Sequence, residues 1–233
     1  MQEEAIGVKV LVIGASGDVG RGAVAACLAR GWETIAVGRT AAKLTELAAE
    51  HDDERLSTAI GDLADETTTT ALADSVGLES IDAVVVTVSG PWSPTPVRDC
   101  DWDTVSETFD RLLRPHVNAA RILLPRLRSG ATYLTVGGGM ADAIFPGMAP
   151  VAMSQAAQRN FVRAWHRESR GVAVAVRQLT IAAMVNGHST RKVAAPDWLT
   201  DAEIGDRICA ILADPAAFPG PVLNFSVADR NPA

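Results

Sequence analysis

The residues best able to do chemistry sit near the start of the chain. Gly14, Gly17 and Gly20 are spaced as Gly14-Ala15-Ser16-Gly17-Asp18-Val19-Gly20, directly after the apolar run Val8-Lys9-Val10-Leu11-Val12-Ile13 and directly before Arg21-Gly22-Ala23-Val24. Glycines between a strand and a helix permit positive φ and close backbone approach, so a pyrophosphate can rest on the free N–H groups and positive dipole of the helix N-terminus. The spacing predicts a dinucleotide site built from Gly14, Ser16, Gly17, Asp18, Val19 and Gly20. A glycine-rich turn that holds no ligand is the alternative. About twenty residues further on, such a site shows how it treats the adenosine ribose: a carboxylate accepts from a 2′-hydroxyl, whereas arginine meets a 2′-phosphate. Ala36-Val37-Gly38-Arg39-Thr40 carries no carboxylate, and Arg39 offers a planar fork, so NADP(H) is expected over NAD(H). An arginine facing solvent beside a helix start is the other reading.

Elements of alternating type must hold these residues. Strands are expected at Val8–Ile13, Thr34–Val37, Leu56–Ile60, Ala83–Val88, Ala131–Val136, Val172–Leu179 and Val222–Val227. Helices are expected at Gly20–Ala29, Ala41–Glu50, Glu66–Val76, Asp101–Leu127, Val151–Arg170 and Asp201–Ala213. Strands alternating with helical segments read as βαβ units, which implies an α/β fold: a Rossmann-like, doubly wound parallel sheet of about seven strands with helices on both faces. Gly187–Leu199 reads as an unstructured excursion, and a loop that long often acts as a lid or binding loop.

The 233 residues suit one domain spanning 1–233, and 48% apolar against 21% charged residues allows a sizeable core. A net charge of −7 leaves no broad basic face, which excludes nucleic acid as an expected partner. The three cysteines, Cys27, Cys100 and Cys209, lie far apart in the chain and form no C-x-x-C pair, so neither a disulfide framework nor a zinc site is indicated. No two histidines stand at i, i+4, so no metal is expected. Met1-Gln2-Glu3-Glu4 lacks the basic start of a signal peptide, and no apolar run reaches the ~18 residues of a membrane span. A cytoplasmic protein, off the membrane, is expected.

Taken in order, these motifs resemble the short-chain dehydrogenase/reductase family over nearly the whole chain. Gly14-x-x-Gly17-x-x-Gly20 is similar to the glycine fingerprint of its extended and atypical members, and Gly38-Arg39-Thr40 to their NADP-selecting turn. Gly61-Asp62-Leu63 resembles the pair that holds the adenine, with Asp62 accepting from the exocyclic amine. The run Ile81 to Gly90 resembles the fourth strand and its N-N-A-G, of which only Gly90, after Ser89, is kept. Ser154-Gln155-Ala156-Ala157, with Glu168 and Gly171-Val172-Ala173-Val174 after it, resembles the helix that normally opens Y-x-x-S-K-A-A. By this resemblance Ser89, Gly90 and Gln155 join the cofactor site, and a homodimer or homotetramer forms through the segments 101–127 and 151–170. Val117-Asn118 looks like the family's V-N pair, but counting back from Pro125 places its helix asparagine near Leu112, so that role is not carried over.

The resemblance breaks at the chemistry. The positions of the family's serine, tyrosine and lysine hold Gly138, Val151 and Gln155. The single tyrosine, Tyr133, has Gly137 four residues on, so no Y-x-x-x-K exists. A ketone receiving hydride must be protonated as the alkoxide forms, and losing a positioned acid forfeits ~10²- to 10⁴-fold in rate. Gln155 can hydrogen-bond a ribose hydroxyl but brings no charge. His116 and His188 are the substitute acids on offer, each with a packing or surface role as the alternative. Asp142 reads as a loop cap, and His51 and His166 as helix-surface residues. Gly137-Gly138-Gly139 could present N–H groups to a substrate oxygen or form a plain turn. Trp92, Gly138, Phe145, Val151 and Met153 suggest an apolar substrate cavity; each could equally serve core or interface. Two functions follow: an NADP(H)-dependent oxidoreductase acting on a small apolar organic molecule without the usual Tyr/Lys, or a non-redox isomerase, cyclase or NADP(H)-sensing binding protein on the same crevice.

Overall fold

A computed structural model describes residues 7–169 and 174–230. Five β-branched or apolar runs become buried strands: β1 Lys9–Ile13, β2 Glu33–Gly38, β4 Ala83–Val86, β5 Thr132–Gly138 and β6 Ala175–Ile181. β3 Leu56–Ile60 and β9 Val222–Phe225 close the two edges of one seven-stranded parallel sheet, in the order β3-β2-β1-β4-β5-β6-β9. β1 pairs on one side with β2 and on the other with β4, so the chain reverses its winding between β1 and β4. That switch point opens a crevice at the carboxyl ends of the strands. Alternation along β1 sends Val10 and Val12 to one face and Leu11 and Ile13 to the other. Helices α1 Asp18–Ala29, α2 Ala41–His51 and α7 Asp201–Ala213 cover the first face. The second is covered by α3 Glu66–Ser75, α5 Arg114–Leu123 and α6 Ala149–Glu168, with α4 Trp102–Leu112 packed on α5 and α6.

The closest helix crossing lies beneath the glycine turn. A Cβ at Gly22 would stand 2.0 Å from the Asp201 carbonyl oxygen, and one at Gly205 2.1 Å from that of Gly22, so α1 and α7 meet backbone to backbone. Cys27 and Cys209, 182 residues apart, come together at the same interface with sulfurs 3.7 Å apart as free, buried thiols. The Sγ–Sγ contact and burial push the Cys27 thiol up. Distance along the chain was no guide to this pair.

Several boundaries move for identifiable reasons. The segment 101–127, expected as one helix, divides at Leu113 into α4, α5 and a short 3₁₀ turn, because the Pro115 ring cannot accept the carbonyl four residues earlier. β4 stops at Val86 rather than Val88, since the Thr87 N–H and hydroxyl turn to the Ile13 carbonyl at 2.8 and 3.0 Å. β5 runs on to Gly138, because Gly137 and Gly138 pair with Thr180 and Ile181 of β6. Of the expected strand Val172–Leu179 and helix Val151–Arg170, positions 170–173 lie outside the described residues. The 187–199 segment is closed at its base by a two-strand ribbon, β7 Val185–Asn186 with β8 Leu199–Thr200. Among the described residues no helix is long and apolar enough to cross a membrane.

Candidate active site

The glycine turn lies at the carboxyl end of β1. Gly14 has φ +86°, and a side chain there would meet the Thr87 hydroxyl at 2.7 Å. The N–H groups of Gly14 and Ala15 both reach the Val37 carbonyl, while that of Gly17 returns to the Gly14 carbonyl. A Cβ at Gly20 would stand 2.2 Å from the Gly14 oxygen, so the turn folds flat against the start of α1. Gly17 is the N-cap and supplies no side-chain acceptor. The N–H groups of Asp18, Val19 and Gly20 thus point into the crevice without intrahelical partners, which is the arrangement an anion fills. Arg21, only 7% exposed, clamps this turn: Nε donates to the Ser16 carbonyl, Nη2 to Glu46 at 3.1 Å, and Nη1 to Glu50. This role of Arg21 is not visible in the order of residues, because its carboxylate partners lie on α2.

Arg39 and Thr40 end β2, both exposed. Arg39 lines a shallow depression of about 310 Å³ with Ile60, Gly61, Asp62 and Thr68. Asp62 accepts from the Ala64 N–H at 3.0 Å, and its carbonyl takes the hydroxyls of Thr68 and Thr69. Leu63 is buried, and its carbonyl accepts from Asn118 Nδ2 at 2.9 Å. Asn118 therefore holds the loop after β3, a structural role the V-N pair did not reveal.

The other half of the crevice is formed by the ends of β4 and β5 and by α6. Ser89 is exposed and Gly90 half-buried, with Gly90 packed against Arg111. Gly137 and Gly138 belong to the β5–β6 ladder rather than to a turn, and Gly139 opens a short 3₁₀ turn. Val151 is 3% exposed, so it packs inside rather than walling an open pocket. Gln155 lies one turn on, its Oε1 buried without a hydrogen-bond partner.

His116 is 2% exposed and both ring nitrogens are engaged. Gln158 Nε2 approaches Nδ1 at 3.4 Å, which leaves Nε2 to carry the proton and donate to the Val88 carbonyl at 3.1 Å. The two hydrogens of Gln158 Nε2 go to Thr135 Oγ1 and the Val136 carbonyl, each at 3.0 Å, so its longer approach to the ring is the weakest of the three contacts. Burial pushes the His116 pKa down to about 4, so the ring is neutral near pH 7 and has no acidic proton to give. Tyr133 sits mid-strand with its hydroxyl buried and unpartnered beside a void of about 10 Å³, and burial pushes its pKa up. His166 is not merely a surface residue, since Nδ1 lies 3.1 Å from the Val176 carbonyl. Asp142 is more than a loop cap: it pairs with the buried Arg159 at 2.5 Å, and that hydrogen bond holds its carboxyl below the usual range.

The late segment docks onto the glycine turn. Asp18 Oδ1 accepts from the Ser189 N–H at 2.7 Å and Oδ2 from its hydroxyl at 2.6 Å. His188 is exposed and stands with Glu46 and Glu50, both of which already pair with Arg21. Trp92 and Phe145 are 47% and 58% exposed, and Ile144, Met153 and Met184 are also exposed. These apolar side chains come from the segments after β4, β5 and β6 and from the first turns of α6, so they belong to a rim rather than to an enclosed pocket.

A model of the short chain dehydrogenase family matches residues 8–195. A sulfoacetaldehyde reductase 2 of Chromohalobacter salexigens is 28% identical over 176 residues, which cover 72% of this chain and 69% of that protein. The NADPH-bound structure of a Pseudomonas aeruginosa PAO1 short chain oxidoreductase, described as containing an atypical catalytic center, is similar with a TM-score of 0.80 at 20% identity, covering 97% and 98% of the two chains. Escherichia coli serine dehydrogenase is similar with a TM-score of 0.80 at 21% identity, covering 96% of this chain and 100% of the other. The solved structures share the fold, and the family model spans both the glycine turn and α6; the chain belongs to the short chain dehydrogenase family.

Proposed function

We propose that this protein is an NADP(H)-dependent oxidoreductase that reduces a small apolar organic substrate without the family's serine, tyrosine and lysine. The observation that carries this reading is the uncapped N-terminus of α1 beside an exposed Arg39. Gly14, Ser16, Gly17, Asp18, Val19 and Gly20 form a cradle that a diphosphate fits, and Arg39 with Thr40 meets the 2′-phosphate. Asp62 and Leu63 flank the adenine side; Ser89, Gly90 and Gln155 flank the nicotinamide side. When bound, the reduced cofactor would supply a hydride to the electrophilic carbon; a protonated imine would need no further proton, whereas an enone or quinone would take one from water. With His116 neutral and Tyr133 buried, neither donates that proton. Substrates already electrophilic fit best: a protonated imine, a conjugated enone or a quinone. Two of the proteins named above, the sulfoacetaldehyde reductase and the serine dehydrogenase, carry small polar substrates in their names, whereas the exposed rim of Trp92, Phe145 and Met153 favours an apolar one here.

Transfer of deuterium from labelled NADPH to an imine, enone or quinone product tests this reading. Tight NADPH binding with no oxidation across all three classes would turn the assignment to the second reading, an isomerase, cyclase or NADP(H)-responsive binding protein. The neutral, fully engaged His116 is the observation that favours that second reading.

A further inference from the structure

Gly138 and Gln155 compete for one volume. Any Cβ at position 138 would stand 2.4 Å from Gln155 Nε2, 2.5 Å from Oε1 and 2.7 Å from Cδ. The whole carboxamide therefore lies where a side chain at 138 would begin, and the position that holds serine in the family pattern can carry a side chain only if Gln155 rotates away. The two departures from that pattern form one exchange: residue 138 lost its side chain, and residue 155 filled the space.

The amide is not there for packing within the protein. Gln158, one turn further along α6, gives its Nε2 to Thr135 and Val136, and Gln178 gives its own to Thr180 at 3.0 Å. Gln155 Oε1 is buried with no partner, a state it shares with Gln178 Oε1, but the Gln178 amide is anchored through Nε2 and lies against Gly137 on the opposite face. A buried amide oxygen without a donor is unfavourable unless a ligand provides one. Alternation along β5 puts Gly137, against Gln178, and Gly138, against Gln155, on opposite faces, so only the second amide sits at the crevice side of the strand end.

We propose that Gln155 takes over the serine's place rather than the lysine's: its carboxamide hydrogen-bonds the polar atom of the substrate at the reacting centre, and the nicotinamide ribose is held without it. This rests on the oxidoreductase reading above. One amide offers both an acceptor and two donors, so it can receive the N–H of a protonated imine or donate to the oxygen of an enone or quinone. It gives up no proton of its own: hydride arrival alone completes the reduction of a protonated imine, and an enone or quinone takes its one proton from water.

The test compares Gln155→Ala, Gly138→Ser and the double variant, reading the NADPH dissociation constant by fluorescence titration, the melting temperature, and turnover with cyclic imines, enones and quinones. For Gln155→Ala the NADPH dissociation constant should stay within ~2-fold while kcat falls by ~10²-fold, the usual loss on removing one preorganised donor. Gly138→Ser alone should lower both melting temperature and turnover through overlap. In the double variant, a hydroxyl in the vacated space should restore the melting temperature and raise turnover at least ~10-fold over Gln155→Ala. A ~10-fold weaker NADPH complex in Gln155→Ala, or a double variant no better than Gly138→Ser, overturns the proposal. If the wild type oxidises no NADPH, the oxidoreductase reading falls. The binding comparison then decides alone: unchanged affinity keeps Gln155 off the ribose, and weakened affinity returns it there.

Discussion

The two sides of the crevice are built from different materials. On the β1–β2 side, the groups that face a ligand are main-chain N–H donors at the start of α1 and one guanidinium, Arg39. On the β4–β5 side, everything depends on which side chains fill a small space: Gly138 against Gln155, and His116 with Gln158 beneath the strand ends. Backbone donors need only the correct turn, so the first side tolerates wide sequence change while its glycines stay. Side-chain machinery can be exchanged piece by piece. The contrast teaches that a backbone cradle and a side-chain cluster are physically separable in this chain.

The largest effect should come from Gly20→Val, whose Cβ would press on the Gly14 carbonyl at 2.2 Å. Overpacking against backbone costs about 1–3 kcal/mol or more. Thermal denaturation should show a lower melting temperature, and dinucleotide titration should show no binding. Retained affinity would mean that the backbone cradle is not the site, and the contrast between the two sides would collapse.

His116 sharpens the picture of the other side through pH. Its folded pKa of about 4 lies below the ordinary 6.5, so the unfolded chain takes up the proton first. The stability it contributes is full above pH 6.5 and is lost as pH falls through 4, in total about 3 kcal/mol. His116→Gln should lose correspondingly less stability across that window in urea titrations. An identical pH profile in both proteins would show that the ring is more accessible than its burial indicates.

Arg39→Ala should weaken NADPH binding by ~10- to 100-fold, the equivalent of about 1.5–3 kcal/mol for charge-assisted hydrogen bonds, and leave NADH nearly unchanged. Equal losses for both cofactors would remove the basis for NADP(H) selection. The smallest effect is expected at Asp18→Ala, which releases Ser189 and takes a carboxylate away from the diphosphate cradle. NADPH affinity should rise ~2- to 5-fold, in line with the ~0.3–1 kcal/mol of a charge at a helix terminus. Limited proteolysis within 187–199 should quicken at the same time; slower cleavage would show that the Asp18–Ser189 contact does not hold the segment.

Much of the first side was legible in the sequence. Glycine spacing after an apolar run fixes a local geometry, and Arg39 stands at a set distance along the same βα unit. The second side was legible only as a list of absences. Nothing in the order of residues says that Gln155 lies on Gly138, that the Val117-Asn118 pair serves Leu63, or that Arg21 reaches Glu46 and Glu50. The helix break at Leu113 follows from Pro115, a local signal that the longer helical segment around it masks.

The sequence by itself determined the alternation of strands and helices, the parallel sheet they imply, and the glycine turn, because each depends on interactions within about one βαβ unit. Tertiary structure alone decided that Cys27 meets Cys209, that His116 is buried and neutral, and that Gln155 fills the place a side chain at 138 would take. Those outcomes depend on which atoms share a volume once distant segments pack, and close packing allows each volume one occupant.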